Sequence, residues 1–307
     1  MADRNLLPPG VLVLERGWLS SNNVVIRGAE EAALVDSGYC THAQQTLHLV
    51  SQATVDRRLT TLVNTHLHSD HCGGNAALQA GYPRLRTLIP PGLAAAVRNW
   101  DPVKLTYQPT GQQCPPFHID GVLAPGSSVR LGDLAWQVHA APGHDPHSVI
   151  LFEPTSGTLI SADALWQNGF GVVFPELEGE QAFHEVAATL DLIESLAPAV
   201  VIPGHGPLFT DVAAALERAR ERLQAYVAQP ARHATHAAKV LLKFKLLEWR
   251  KVPADELASW VMATPYFRLV HARWAPDVPM RKWLDELLAG LVRSRAATLD
   301  DGFVIDI

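Results

Sequence analysis

Thr65-His66-Leu67-His68-Ser69-Asp70-His71 places four metal-competent side chains within six positions. Imidazole nitrogens and carboxylate oxygens suit borderline divalent ions. On a chain leaving a strand in extended form, His66 and His68 project to the same side, as residues two apart do. Asp70 and His71 can then address a second ion beside the first, since paired ions stand about 3.5 to 4 Å apart. One segment cannot fill two coordination spheres. Three further candidates lie in tight turns that end apolar runs: His144 in Ala141-Pro142-Gly143-His144-Asp145, Asp163 after Leu159-Ile160-Ser161-Ala162, and His205 in Ile202-Pro203-Gly204-His205-Gly206-Pro207. Turns on a rigid scaffold are where site residues concentrate. The chemistry such a set supports is hydrolysis by a hydroxide bridging two cations, because bound cations lower the pKa of water to about 7. Asp70 is placed to orient that nucleophile or move its proton.

The elements that must carry these residues read as short strands in the first two thirds of the chain. Val11–Leu14, Asn23–Arg27 and Ala32–Val35 form a meander. Leu59–Asn64, Arg86–Ile89, Leu134–His139, Ser148–Phe152, Thr158–Ser161 and Ala199–Ile202 follow, separated by Gly, Asn and Asp turns. Helical patterns interrupt at Thr41–Ala53, Gly73–Ala80 and Gln181–Leu196, the last with Phe183, Val186, Leu190, Ile193 and Leu196 on one face. After Pro207 the strands give way to amphipathic helices at Asp211–Val227, Ala234–Trp249, Ala254–Met262 and Met280–Val292. Asp300-Asp301-Gly302 then marks a closing hairpin. The expected division is a catalytic domain over 10–228 and a mainly helical domain over 229–307. Helices ending in a hairpin suggest a winged helix for the second. The glycine-punctuated segment after Asp163 offers Trp166, Phe170 and Phe174 as walls of a substrate pocket, with core packing as the alternative. The long stretch Trp100–His118 reads as a lid.

In their order, HxHxDH, Pro-Gly-His, an Asp after a strand and Pro-Gly-His-Gly resemble the metallo-β-lactamase superfamily over about residues 10 to 210. The resemblance implies an α+β fold, an αββα sandwich. It implies His66, His68 and His144 at one metal, Asp70, His71 and His205 at the other, and Asp163 between them. Asp36, in Leu34-Val35-Asp36-Ser37-Gly38, matches the family's acidic strand-end position, from which a carboxylate can orient a metal-bound His from behind. True β-lactamases of the commonest subclass place Cys where Asp163 stands, and flavin-linked di-iron members place Glu where His68 stands. The sequence is therefore similar to the glyoxalase II-like branch, and a small ester, thioester or lactone is the implied substrate. Two zinc ions are the expected cofactors, with iron or manganese as alternatives. The basic residues that hold glutathione in glyoxalase II have no matching positions here. The alternatives are a metal-dependent endoribonuclease, since some relatives join this domain to a winged helix, and a ligand-sensing regulatory protein with a vestigial metal site.

Composition narrows the partners. With 307 residues, 48% of them hydrophobic and 18% charged, the chain can bury ordinary cores in two domains. A formal charge of -6 disfavours nucleic acid as the main partner. Three cysteines, Cys40, Cys72 and Cys114, form no C-x-x-C pair and fit reduced thiols. Residues 1 to 20 lack an export pattern and no apolar run reaches membrane-spanning length, so a cytoplasmic protein free of membrane is expected, whether monomer or oligomer. His118, His147, His184, His233, His236 and His271 read as ordinary polar positions, and Cys72 as structural. Lys239, Lys243, Lys245 and Arg250 read as a solvated basic face, with an anchor for an acidic thiol carrier or for phosphate as the alternative.

Overall fold

The computed structural model describes residues 6–307. Six strands, β1 (Val11–Leu14), β2 (Asn23–Arg27), β3 (Glu31–Val35), β4 (Arg58–Val63), β5 (Arg86–Ile89) and β6 (Gly121–Val122), form one sheet in chain order. Five more, β7 (Ser128–Leu131), β8 (Leu134–Ala140), β9 (Val149–Glu153), β10 (Thr158–Ala162) and β11 (Val200–Pro203), form a second. Strands β3 to β6 run parallel, as do β10 and β11; the other pairings are antiparallel.

Side chains two apart along a strand face the same side, and that rule sorts the core. Val24, Ile26, Val35, Val63, Leu151, Ile160 and Ile202 meet between the sheets around the fully buried Trp136. Their immediate neighbours face outward. Val25, Leu34 and Leu62 pack under α1 (Ala43–Ala53) through Val50, and under α3 (Asn75–Gly81) through Leu78; the short α2 (Ser69–Cys72) lies between these helices in the chain. Ile150, Leu159 and Val201 pack under α7 (Phe183–Leu196) and α8 (Val212–Ala228). Strands buried on both faces need apolar residues on both, which explains their unbroken apolar runs. The result is an αββα sandwich.

Asp211 caps α8 by accepting from the Ala214 amide. Only Gln229 separates α8 from α9 (Pro230–Trp249), whose first-turn proline suits a helix start. Beyond α9 come β12 (Lys251–Pro253), α10 (Ala254–Ala263), α11 (Pro265–Trp274), α12 (Met280–Arg293) and the hairpin β13 (Ala297–Asp300) and β14 (Phe303–Asp306), with β14 central in a three-stranded sheet. Leu242, Leu257, Phe267, Trp283 and Leu287 form its core, joined from the preceding sandwich by Val172 and by Leu177 on α6 (Phe174–Glu178). No helix among the described residues is long and apolar enough to cross a membrane.

Several sequence expectations need correction. The segment 100–118 holds helix α5 (Tyr107–Thr110), which follows α4 (Ala94–Asn99), and it buries Leu105, Tyr107 and Phe117 in an apolar cluster with Val97. It is an anchored wall and not a free lid. Strands β7 and β12 and helix α11 escaped the sequence reading. β7 is an edge strand with polar outward positions, β12 has three residues ending in proline, and α11 buries only Tyr266, Phe267 and Val270. His233 is 1% exposed and therefore not a surface residue.

Glu248 near the end of α9 ties the helical region to the sandwich. It accepts from Lys245 Nζ at 2.7 Å, Tyr39 Oη at 3.0 Å and Gln113 Nε2 at 2.7 Å. The Lys245 and Glu248 side chains are each 5% exposed. Breaking a buried ion pair from one side strands the other charge at a cost of about 3 to 5 kcal/mol. Glu248→Ala is expected to lower unfolding free energy by about that amount in urea titration, whereas a loss below about 1 kcal/mol would mean the pair behaves as a surface bridge.

Candidate metal centre

The sandwich brings all seven candidate donors to one end. His66, His68, Asp70 and His71 leave the end of β4 and continue into α2. His144 follows β8, Asp163 follows β10 and His205 follows β11. Ligand sites in sheets with parallel strands form beyond the carboxyl ends of the strands, and the parallel pairs β3–β4 and β10–β11 deliver their following loops to this end. The donors fall into three close groupings: His66, His68 and His144; His66, His71 and Asp163; and Asp70, His71 and His205. His68 Nδ1 lies 2.7 Å from His144 Nε2, and Asp70 Oδ2 lies 3.1 Å from His205 Nε2. Asp163 stands in the middle, with Oδ1 3.4 Å from His71 Nε2 and Oδ2 3.4 Å from His144 Nε2.

The loop is held from behind by buried polar groups. The Ser37 amide donates to the His71 carbonyl at 2.7 Å, and Asn64 Nδ2 donates to the same oxygen at 3.1 Å. Asn22 Nδ2 donates to the Pro203 and Gly206 carbonyls on either side of His205. Gly204 permits close approach, since a Cβ there would stand 2.2 Å from Asp163 Oδ1. Asp36 adopts φ 59°, a conformation that aspartate tolerates better than most residues.

Hydrogen bonds fix which ring nitrogen faces the site. Asp36 Oδ2 accepts from His71 Nδ1 at 2.7 Å and from the Thr65 hydroxyl at 2.8 Å, while Oδ1 accepts from the Thr65 amide at 2.9 Å. With its proton given to Asp36, the Thr65 oxygen is left to accept from His66 Nδ1 at 3.2 Å. His144 Nδ1 donates to the Val172 carbonyl at 2.6 Å. In all three rings Nε2 is thereby the lone-pair atom turned toward the site. His66 Nε2 and His71 Nε2 are buried with no hydrogen-bond partner. Buried lone pairs facing one another and two carboxylates fit a cation, so this donor set fits divalent metal.

The electrostatics agree. Burial, then the charges of His71, His68 and His144, push the His66 imidazole well below its usual value. Burial and His68 push His144 down to about 4. Burial alone would also lower His71, but Asp163, Asp36 and Asp70 outweigh it and raise that imidazole well above 6.5. Burial would raise Asp163, yet His71 and His205 hold its carboxyl well below the usual range. The carboxylates therefore call for positive charge beside them.

A cavity of about 880 Å³ opens over the cluster. Trp166 and Phe174 line it. Trp166 Nε1 donates to Asp163 Oδ1 at 3.2 Å, and the Phe174 ring sits 5.0 Å from that of His68. Phe170 is a correction: it is 3% exposed, packs edge-on to Tyr226 in the α7–α8 core and does not line the cavity. Cys72 turns away from the donors toward Tyr107 Oη at 3.1 Å, in keeping with a structural role.

Three contributors were missed in the sequence. Trp18 stacks on His205 with centroids 5.3 Å apart, from a loop with no spacing signal. Val172 acts through its carbonyl, which sequence cannot reveal. His233 on α9 accepts from the Val173 amide at 3.0 Å and so steadies the strap that holds His144.

The profile of the metallo-beta-lactamase superfamily matches residues 16–205. Among curated proteins, persulfide dioxygenase ETHE1, mitochondrial, from Bos taurus is 29% identical over 161 residues, 52% of this chain and 54% of that protein. Hydroxyacylglutathione hydrolase from Anaeromyxobacter dehalogenans is 33% identical over 141 residues, 46% of this chain and 44% of that protein. The chain thus spans about half the length of the curated relatives it matches. A beta-lactamase domain protein from Burkholderia ambifaria has a crystal structure that superposes with TM-score 0.61 at 19% identity, over 97% of this chain and 92% of that one, a likeness of fold that takes in the helical C-terminal region.

Two measurements test this architecture. Asp36→Asn should leave the fold intact and weaken metal binding by about 10- to 100-fold, read by chelator competition; unchanged affinity would deny Asp36 its orienting role. Burial holds His233 down to about 4, below the 6.5 of an exposed imidazole. The unfolded chain then binds the extra proton as pH falls from 6.5 toward 4, so His233 removes stability across that window. His233→Gln should flatten the loss of urea stability between pH 7 and pH 5, and an identical slope in both proteins would remove His233 as its source. The matched profile covers more than half of the sequence and the donors lie where that fold's strands end: the chain belongs to the metallo-beta-lactamase superfamily.

Proposed function

We propose that this protein is a dinuclear metal-dependent hydrolase of a small ester, thioester or lactone. One observation carries the reading: buried, unpartnered imidazole nitrogens converge with two carboxylates at the floor of a cavity large enough for a small-molecule substrate. His66, His68 and His144 would hold one ion, Asp70, His71 and His205 the second, with Asp163 between them. Zinc suits this donor set best; iron and manganese accept the same donors. Divalent ions held there supply a nucleophile from water near neutral pH and polarise a carbonyl oxygen.

The chain's own residues do the rest. Asp70 is the most exposed of the carboxylates in the cluster and is positioned to orient water and carry its proton. Trp166 fixes Asp163 through its indole N–H, and Phe174 and Trp18 shield the imidazoles of His68 and His205 from bulk solvent. Hydroxyacylglutathione hydrolases among the relatives make a thioester the first substrate to try.

We take residues 10–228 as the catalytic unit and 229–307 as a winged-helix unit. The sheet order β12–β14–β13 behind α9, α10 and α12 supports that reading. The exposed face of α12 alternates Arg281 and Lys282 with Asp285 and Glu286, a poor surface for a phosphate backbone, so the winged helix serves here as a wall of the cavity and not as a nucleic-acid reader.

His68→Ala should lose bound metal, read by elemental analysis, and reduce thioester hydrolysis to the level of chelator-treated protein, with zinc restoring the wild type but not the variant. Full turnover in the variant, or oxygen uptake with a persulfide in place of thioester hydrolysis in the wild type, would overturn the proposal.

A further inference from the structure

The basic face of α9 divides in the folded protein. Lys243 Nζ donates to Asp306 Oδ1 and to the Ala296 carbonyl at 2.6 Å. Lys245 pairs with Glu248, and Arg250 pairs with Asp306. Lys239 is left over. It has no acidic or hydrogen-bond partner among the described residues, and neither has Arg222 on α8 nor His236, one turn before Lys239 on α9. All three line the cavity that opens on the metal centre, and all three are half-buried. Glu178 and Glu180 line the same cavity without pairing with any of them. Both cations are felt at the imidazole: after burial, Arg222 and then Lys239 hold His236 down to about 4.

Glycine makes room for both long side chains. A Cβ on Gly169 would stand 2.6 Å from Arg222 Nη1, and one on Gly290 would stand 2.6 Å from Lys239 Nζ. Gly169 belongs to the loop whose Trp166 donates to Asp163, so the guanidinium lies against the segment that fixes the metal-site carboxylate. Gly290 lies within α12, where glycine is a poor helix former; its bare backbone leaves a seat for the ammonium. The same cavity is also lined by the apolar side chains of Val240, Phe244, Leu247 and Leu291. Like charges brought together beside apolar surface repel one another unless an anion joins them.

We propose that Arg222, His236 and Lys239 form a subsite for the anionic end of the substrate, a phosphate or carboxylate group on the arm remote from the scissile carbonyl. The guanidinium and ammonium supply charge, the neutral imidazole a hydrogen bond, and the apolar wall packs the intervening arm. This deepens the hydrolase reading and rests on it for the position of the carbonyl. The preferred substrates are accordingly esters or thioesters with one anionic arm.

Thiol-free, non-hydrolysable probes separate the two ideas. The metal-loaded protein would be titrated calorimetrically with desulfo-coenzyme A, whose arm carries phosphates, and with S-methylglutathione, whose arm carries carboxylates. At least one should bind, and the preferred probe identifies the anion. Arg222→Met and Lys239→Met should each weaken it about tenfold, as loss of one charge-assisted contact implies. Gly290→Ala, which keeps every charge but displaces the ammonium, should weaken it as well. Higher salt should reduce wild-type binding more than that of either charge variant. Failure of both probes to bind the wild type, or equal binding by the wild type and both Met variants, would overturn the subsite. Neither probe contains a scissile bond, so lack of hydrolytic activity would count against the catalytic reading alone.

Discussion

Imidazole lone pairs and carboxylates withdrawn from water and turned toward one another repel unless positive charge sits among them. Everything at the open end of this sandwich follows from that constraint. Asp36 claims the outward nitrogen of His71, Thr65 passes its proton to Asp36 and accepts from His66, and Val172 claims His144. Each of these bonds leaves a lone pair pointing inward. The protein thus spends buried hydrogen bonds on aiming its donors at one another, a crowding that only a cation or a captured proton relieves.

The same end of the fold is closed by helices contributed from the far end of the chain. Helices α8 and α9 follow each other across a single residue, Gln229, and α9 lies along the cavity with its apolar and basic positions turned into it. Its other faces build the core shared with α10, α11 and α12. One helix is therefore both the spine of the C-terminal region and part of the wall beside the metal donors. Val172 and Leu177, which leave the sandwich to enter that second core, make the contact reciprocal.

Much of this was legible in the sequence, for identifiable reasons. Spacing of two along an extended chain and tight glycine turns after apolar runs are local signals, and they located His66, His68, Asp70, His71, His144, Asp163 and His205. Short apolar runs between turn residues located most strands, the family resemblance supplied the sandwich, and the Asp-Gly turn after Asp300 located the hairpin. What was hidden was long-range or carried by backbone. Phe170 and Trp166 lie in one loop, yet only the fold decides that one ring enters the α7–α8 core and the other reaches Asp163. The lysines of α9 look alike in sequence; Asp306, some sixty residues on, decides which of them is neutralised. Trp18 and the Val172 carbonyl leave no pattern at all.

The strap at Val172 and Val173 has a consequence for how this protein can be divided. Its first residue positions a candidate metal donor through a carbonyl, and its second is gripped by His233 from α9. Although the sandwich has its own core, the hydrogen-bond route to His144 runs through the C-terminal helices. The two halves are thus not interchangeable modules: a graft that exchanged the C-terminal half for another of equal shape would need an acceptor at the place of His233 before the donor cluster could regain its aim.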